Sequence, residues 1–302
     1  MRRLITLATV VVALVLAGSP ATAATTPLPV PYNFLPPAIL GGMPDANAPG
    51  TNDWTCKPSK AHPRPVVLVH GTAGNQSTNW QTYGPLLKNN GYCVFALTYG
   101  ALSAPYPVNA LGGMASMRTS AVQLKTFADR VRTATGAARV DLIGHSQGTL
   151  MPAYYLKFLG GASKVHNYIS LAPLWHGTEF VPPQLADALG MKSSAVPVCV
   201  ACGEMNPGSS FINEIRKGGV AEPGVRYLNI MTKYDELVRP YTSGSEVGMT
   251  NIVLQDRCAI DYSEHFEIAA DRNATLYVLN ALDPAHPRPI VCTLSLPFVG
   301  GA

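Results

Sequence analysis

The sequence predicts an α/β protein with a mainly parallel central sheet and helices on both of its faces. Apolar, β-branched segments of strand length alternate with segments of helical spacing, and most connections between them are short. Of the 302 residues, 47% are hydrophobic and 13% are charged, so an intrinsically disordered chain is excluded. Nothing in the pattern indicates a second domain with its own core.

The N-terminus has the pattern of a secretory signal peptide. Residues 1–3 carry two arginines, residues 4–17 are apolar, and residues 21–23 form a small-residue cleavage site. The apolar stretch is shorter than the ~18–20 residues that a membrane span needs. We therefore expect cleavage after Ala23, no stable membrane span, and a secreted protein with a single catalytic domain of residues 24–302.

The charge of the mature chain does not indicate a polyanionic partner. Loss of Arg2 and Arg3 leaves 20 basic residues against 18 acidic ones, which lowers the net charge from +4 to +2. A nearly neutral chain of this kind excludes a nucleic-acid-binding protein.

The first part of the mature chain predicts an arm followed by two strands. Residues 24–64 are rich in proline and are predicted to form an irregular arm. Residues 65–70 and 92–98 are continuous apolar runs, which predict buried parallel strands. Residues 80–90 between them are predicted to form a helix that ends at Asn89-Asn90-Gly91.

The middle of the chain repeats this alternation. Residues 113–135 have apolar positions at helical spacing and precede Gly136, which predicts a long helix. Residues 139–144 are predicted as a strand and residues 147–159 as a helix. Pro152 lies beyond the first turn of that helix, so a kink is expected there.

The last part contains three more predicted strands and one helix. The strands are residues 167–172, 225–231 and 251–254, and the helix is residues 267–282. Residues 174–224 form a long segment rich in proline and glycine, which is predicted to be a lid-like insertion over one end of the sheet.

Six cysteines in an exported chain predict disulfide bonds. Of the fifteen possible pairings, the order along the chain suggests Cys56–Cys93, Cys199–Cys202 and Cys258–Cys292. A zinc site or a redox-active C-x-x-C at Cys199 and Cys202 is the alternative. The first needs four clustered ligands and the second a thioredoxin-like context, and neither is visible.

Residues Gly144-His145-Ser146-Gln147-Gly148 fit the pattern G-x-S-x-G at the junction of a predicted strand and helix. In that context the pattern is typical of the nucleophile elbow of the α/β-hydrolase fold. Glycines are expected at 144 and 148 because side chains there would collide with neighbouring backbone. Ser146 is therefore the predicted nucleophile, the alternative being a structural serine in a glycine-rich turn.

A serine nucleophile needs a base, which in this fold comes last in the chain order Ser, Asp or Glu, His. His265 lies between the last predicted strand and the last helix, where the fold has its base. His166 and His176 come too early, and His286 lies in a proline-rich tail.

The base needs an orienting acid on the loop after the strand 225–231. Asp235 lies on that loop and is the predicted acid, whereas Glu236 beside it is expected to point elsewhere. Asp256, Asp261 and Glu264 are too close to His265 and follow the wrong strand.

An oxyanion hole needs main-chain N–H donors aimed at the reacting oxygen. The predicted donors are Gln147, which follows the nucleophile, and Thr72, in the loop after the first strand. Gly71 allows the close turn, and the Thr72 hydroxyl is a hypothetical third donor. A phosphate-binding loop is disfavoured because no Gly-Lys-Ser/Thr follows.

Over most of residues 50–285 the chain resembles the secreted actinobacterial lipases and esterases of the α/β-hydrolase superfamily. The region around Thr72 and Asp235 is also similar to the fungal lipase B type. Two residues depart from the pattern of these proteins: Thr149 occupies a position where glycine is frequent, and Glu264 occupies one where aspartate is frequent. The motifs that carry the resemblance are His70-Gly71-Thr72, Gly91 to Tyr99, Gly144 to Gly148, Tyr234-Asp235-Glu236, His265 and Asn280 to Pro284.

The resemblance implies a secreted hydrolase of carboxylic esters, a triacylglycerol lipase or carboxylesterase, that needs no cofactor, and no metal-binding residues are predicted. Its substrate would be a lipid or another ester, bound at a lipid–water interface or from solution. We expect the protein to be a monomer. A polyester depolymerase or an acyltransferase would use the same residues, and a non-catalytic binding protein is a further alternative. Candidates for the walls of the acyl and alcohol pockets, each with core packing as the alternative, are Trp80, Leu174, Trp175, Leu237, Val238 and Ile268.

Overall fold

The computed structural model describes residues 26–40, 43, 45–179 and 199–301. The predicted signal peptide, residues 1–23, lies outside the described residues. So do residues 180–198 of the predicted lid-like insertion.

Six parallel strands form one sheet. They are β1 Val66–Val69, β2 Val94–Leu97, β3 Val140–His145, β4 Val165–Leu171, β5 Arg226–Met231 and β6 Thr250–Val253. Their order in the sheet is β2-β1-β3-β4-β5-β6, so β3, which leads into Ser146, lies at the centre between β1 and β4. The predicted parallel sheet is confirmed.

Helices cover both faces of this sheet. They include α1 Leu35–Leu40, α2 Tyr83–Asn89, α3 Met117–Thr135, α4 Gln147–Phe158, α5 Val200–Glu204, α6 Ser210–Arg216 and α7 Arg272–Leu282. Alternate strand residues point to opposite faces. Val67 and Val69 therefore pack in one core cluster with α3, α4 and α6, while Val66 and Leu68 pack in the other with α2 and α7. The two-sided core confirms the predicted layer arrangement.

Several helix boundaries differ from the prediction. The irregular arm contains α1, and the described part of the insertion contains α5 and α6. The last helix begins at Arg272, because Asp271 Oδ2 accepts the N–H of Ala274 at 2.6 Å and caps it, and residues 267–269 form a separate 3₁₀ turn. Helix α4 continues across Pro152, and the expected kink stays a prediction.

The structure pairs the cysteines as Cys56–Cys93, Cys199–Cys202 and Cys258–Cys292. The first bond ties the arm to the segment that leads into β2. The third joins the segment before His265 to the C-terminal tail. Among the residues that the structure describes, no helix is long and apolar enough to cross a membrane.

Candidate active site

The turn from β3 into α4 holds Ser146 in a backbone conformation that few non-glycine residues adopt. Its φ is 54° and its ψ is −125°. The flanking glycines make the turn possible: a Cβ on Gly144 would lie 2.1 Å from the carbonyl oxygen of Gly148, and a Cβ on Gly148 would lie 2.0 Å from that of Val69. The steric reason predicted for the two glycines is thus present in the structure.

Ser146, His265 and Asp235 come together at the carboxyl ends of the strands. Ser146 Oγ lies 2.9 Å from His265 Nε2. On the other side of the ring, His265 Nδ1 lies 2.9 Å and 3.0 Å from the two carboxylate oxygens of Asp235. The side chains of His265 and Asp235 are only 3% and 2% exposed, so water competes little for these contacts.

The loop after β5 forms hydrogen bonds with both the side chain and the main chain of His265. Asp235 Oδ1 also accepts the N–H groups of Leu237 at 3.0 Å and Val238 at 2.6 Å, which fixes the carboxylate against the ring. Glu236, expected to point elsewhere, turns toward the main chain instead: its Oε2 accepts the N–H of His265 at 3.2 Å. Consecutive acidic residues therefore bind the side chain and the backbone of the same histidine.

The loop after β1 approaches the start of α4. Within the described ranges, neither the main-chain N–H of Thr72 nor that of Gln147 has a hydrogen-bond acceptor, so both can bind an oxyanion. The buried side chain of His70 connects this loop to the segment after β2. Its Nδ1 lies 2.7 Å from Gly71 O in the loop, and its Nε2 accepts the N–H of Tyr99 at 3.2 Å. Burial lowers the pKa of His70 to about 4, so the ring is neutral, with its proton on Nδ1.

The two departures from the family pattern, Thr149 and Glu264, are buried residues that form hydrogen bonds with the main chain. The Thr149 hydroxyl donates to the carbonyl oxygen of Ser146 at 2.7 Å, and the residue is fully buried. Glu264 accepts the N–H groups of Phe266, Glu267 and Phe298. Thr149 therefore supports the backbone at Ser146, and Glu264 supports the backbone that follows His265.

The six candidate pocket residues do not lie together. Trp80 and Ile268 belong to the core cluster on the face of α2 and α7. Leu174, Trp175 and Val238 belong to the opposite cluster. All five are almost fully buried, and Leu237 is partly exposed. Their assignment to a substrate pocket stays a prediction.

A cavity that the sequence did not indicate lies beside the loops of Asp235 and His265. Its volume is about 470 Å³. It is lined by Tyr234, Glu236, Tyr262, Glu264, Pro297 and Phe298. Four of these residues flank Asp235 or belong to the segment before His265, and two come from the C-terminal tail, which no local signal connects to the site.

The chain is similar to known proteins over most of its length. A family model described as lipase (class 2) matches residues 63–278. Triacylglycerol lipases from Pseudarthrobacter phenanthrenivorans and Burkholderia plantarii are each 34% identical over 95 residues, which is 30% of this chain and 27% and 24% of theirs. The match thus spans about a quarter of the length of these curated relatives.

Solved structures show the same fold. Aspergillus fumigatus lipase B superposes with a TM-score of 0.60 at 21% identity, over 81% of this chain and 56% of that one. The mature form of Bacillus licheniformis lipase BlEst2 superposes with a TM-score of 0.54 at 17% identity, over 75% of this chain and 94% of that one. The sheet is therefore that of an α/β-hydrolase.

Proposed function

Because the chain belongs to the class 2 lipase family, we propose that it is a carboxylic ester hydrolase that acts through Ser146, His265 and Asp235. The observation that carries the proposal is the continuous hydrogen-bonded line from Ser146 Oγ through both nitrogens of His265 to Asp235. A nucleophile, a base and an orienting acid in that order are what acyl transfer requires.

In the first step Ser146 Oγ attacks the ester carbonyl while its proton passes to His265 Nε2. Asp235 accepts the hydrogen bond from Nδ1–H and stabilises the imidazolium that forms. The alcohol leaves with the proton from Nε2, and an acyl-Ser146 ester remains. In the second step water attacks that ester, gives its proton to His265, and releases the acid as Ser146 recovers its proton.

The negative charge that develops on the carbonyl oxygen needs fixed donors. The main-chain N–H groups of Thr72 and Gln147 have no acceptor among the described residues and are the proposed donors. Their positions are set by the loop after β1 and by the first turn of α4, so no reorganisation is needed as the charge forms.

The proposed substrates are acylglycerols and simpler carboxylic esters. The triacylglycerol lipases noted above and the family description support this class. We also propose that residues 24–302 form a single secreted domain, which the three disulfides favour because such bonds persist in oxidising compartments.

Labelling by a fluorophosphonate tests the nucleophile directly. Wild type and Ser163→Ala, a surface control, are expected to react and to hydrolyse p-nitrophenyl butyrate, whereas Ser146→Ala loses both labelling and a factor of about 10⁴–10⁶ in kcat. Equal labelling of Ser146→Ala would refute the assignment.

Product analysis separates the finer alternatives. Rates on p-nitrophenyl esters from acetate to palmitate, below and above micelle formation, distinguish an esterase from a lipase. An added alcohol acceptor reveals transfer in place of hydrolysis, and soluble fragments released from a polyester film would indicate a depolymerase.

A further inference from the structure

The residue before Ser146 connects two of the loops that form the site. His145 is the last residue of β3 and its side chain is buried. Its Nε2 lies 2.8 Å from the carbonyl oxygen of His265, and its Nδ1 lies 3.1 Å from Oδ1 of Asn79. Asn79 Oδ1 also accepts the N–H of Gly71 at 3.1 Å. A line of buried polar contacts therefore runs from the Thr72 loop, beneath Ser146, to His265.

The protonation of His145 follows from its partners. Burial lowers its pKa to about 3, and the charges of the His265 and His70 rings act in the same direction, whereas the hydrogen bond to the His265 carbonyl opposes them; the ring is therefore neutral at ordinary pH. A neutral imidazole carries one proton on its two nitrogens. Both ring nitrogens face oxygen atoms that accept, and the Asn79 oxygen already accepts the N–H of Gly71, whereas the His265 carbonyl oxygen lies at the shorter distance. The proton therefore belongs on Nε2.

We propose that His145 is a positioning residue whose Nε2–H holds the main chain of His265 and so sets the distance from His265 Nε2 to Ser146 Oγ. The inference rests on the ester hydrolysis proposed above. A second contact of the His265 main chain supports it: the N–H of His265 donates to Glu236 Oε2, while its carbonyl oxygen faces His145. The two peptide groups of the base are thus both fixed by buried or half-buried side chains.

The consequence should be seen in kcat rather than in KM. A proton moves between Ser146 Oγ and His265 Nε2, now 2.9 Å apart, and such transfers are sensitive to small displacements of the donor and acceptor. His145 itself lies beneath the elbow and is almost completely buried, so its loss removes no surface that substrate would contact.

Three substitutions separate the hydrogen bond from the volume of the ring. In His145→Gln the amide nitrogen is as many bonds from Cβ as Nε2 is, so the donor to His265 is retained. In His145→Asn the amide nitrogen corresponds to Nδ1, and in His145→Phe the ring remains without any donor. We expect His145→Asn and His145→Phe to lower kcat about 10-fold, and His145→Gln to retain most of it.

The measurement is steady-state hydrolysis of p-nitrophenyl butyrate, expressed per active site titrated with a fluorophosphonate. Titration confines the comparison to folded molecules, because a purely structural role would reduce the number of sites without changing the rate of each. His166→Gln, a partly exposed histidine on β4, is the control and should match wild type.

A higher kcat in His145→Gln than in the other two variants, at constant KM, supports the inference. Equal kcat per titrated site in His145→Gln and His145→Phe overturns it. Activity that survives Ser146→Ala would instead overturn the proposed function, so the two failures are distinguishable.

Discussion

The side-chain amide nitrogen of Gln147 donates a hydrogen bond to the hydroxyl oxygen of Thr72 at 3.0 Å. The same nitrogen donates to Gly113 O at 2.9 Å, which fixes its orientation. Since the Thr72 oxygen accepts from Gln147, its own hydrogen points elsewhere. Among the described residues the hydroxyl donates to the thioether sulfur Met205 Sδ at 3.9 Å, which is a weak acceptor. The hydroxyl hydrogen is therefore held only weakly and can turn toward an oxyanion.

Removal of this hydroxyl should slow the reaction without unfolding the protein. Thr72→Val keeps the shape of the side chain and the main-chain donor, so we expect a loss of about 10²-fold in kcat. Thr72→Ser retains the hydroxyl and should lose far less. The check is kcat for p-nitrophenyl butyrate with thermal unfolding measured in parallel, and an unchanged kcat in Thr72→Val would sink the third donor.

Reversing the polarity of Gln147 should turn the Thr72 hydroxyl away from the oxyanion. In Gln147→Glu the carboxylate accepts the hydroxyl hydrogen that would otherwise reach the substrate, so kcat is expected to fall on the order of 10–100-fold. Gln81→Glu, at a glutamine that donates to Ser77, controls for added charge. Additive losses in Gln147→Glu combined with Thr72→Val would contradict this coupling.

The acid is expected to matter for the protonation of the base and little for the fold. Asp235→Asn can still accept the N–H groups of Leu237 and Val238, but its amide favours the wrong tautomer of His265. We expect kcat to fall on the order of 10³–10⁴-fold with KM nearly constant. Asp256→Asn, whose partner is Lys233 at the surface, should behave as wild type in the same assay.

The free energy of unfolding is expected to fall as pH rises, because of Glu267. This residue is buried, and its Oε2 accepts the N–H of Phe34 at 3.0 Å. Burial raises its pKa to about 8 from an ordinary value of 4.5. The folded state therefore binds more protons than the unfolded state between these two values, and stability is lost as pH rises through that window.

Glu267→Gln removes this ionisation. The variant should exceed wild type by about 1–3 kcal/mol in free energy of unfolding at pH 9, with little difference at pH 5. Urea denaturation at both pH values measures it, with the partly exposed Glu222→Gln as the charge control. If Glu267→Gln and wild type differ in free energy of unfolding by the same amount at pH 5 and pH 9, the effect comes from packing and not from ionisation of Glu267.

The disulfides should differ in their contribution to stability. Cys56 and Cys93 close a loop of 37 residues, whereas Cys199 and Cys202 are 3 apart. Loop-closure entropy predicts losses of about 4 kcal/mol for the double alanine variant of the first pair and about 1.5 kcal/mol for that of the second. Urea denaturation of both variants tests this, and equal losses would show that entropy of the unfolded chain does not decide the effect.

Some features of this structure are encoded in short stretches of sequence, and others depend on contacts between residues far apart in the chain. Strands such as Val66–Val69 are continuous apolar runs, and the elbow at Ser146 is a single pentapeptide, so both could be predicted from short windows. The contact of His145 with His265 joins residues 120 apart, and no periodicity encodes it. Helix α6 also escaped prediction, because a helix of seven residues is stabilised mainly by the burial of Phe211 and Ile212.

The candidate pocket residues show a further limit of reasoning from sequence. Trp80 and Trp175 lie close in sequence to the loops of the candidate site, but both are buried in the core, in clusters on opposite faces of the sheet. Proximity along the chain could not tell a pocket wall from core. Tyr234 and Tyr262, by contrast, became neighbours only through folding, with ring centroids 5.6 Å apart.

The bond between Cys258 and Cys292 encloses His265 and helix α7 in a covalently closed ring of chain. A host whose cytosol keeps thiols reduced would leave that ring open and the segment bearing the base attached only by non-covalent contacts. Recombinant production should therefore be directed to an oxidising compartment such as the bacterial periplasm. The expression host therefore affects the candidate site directly, because it determines whether the segment that carries His265 is closed by a covalent bond.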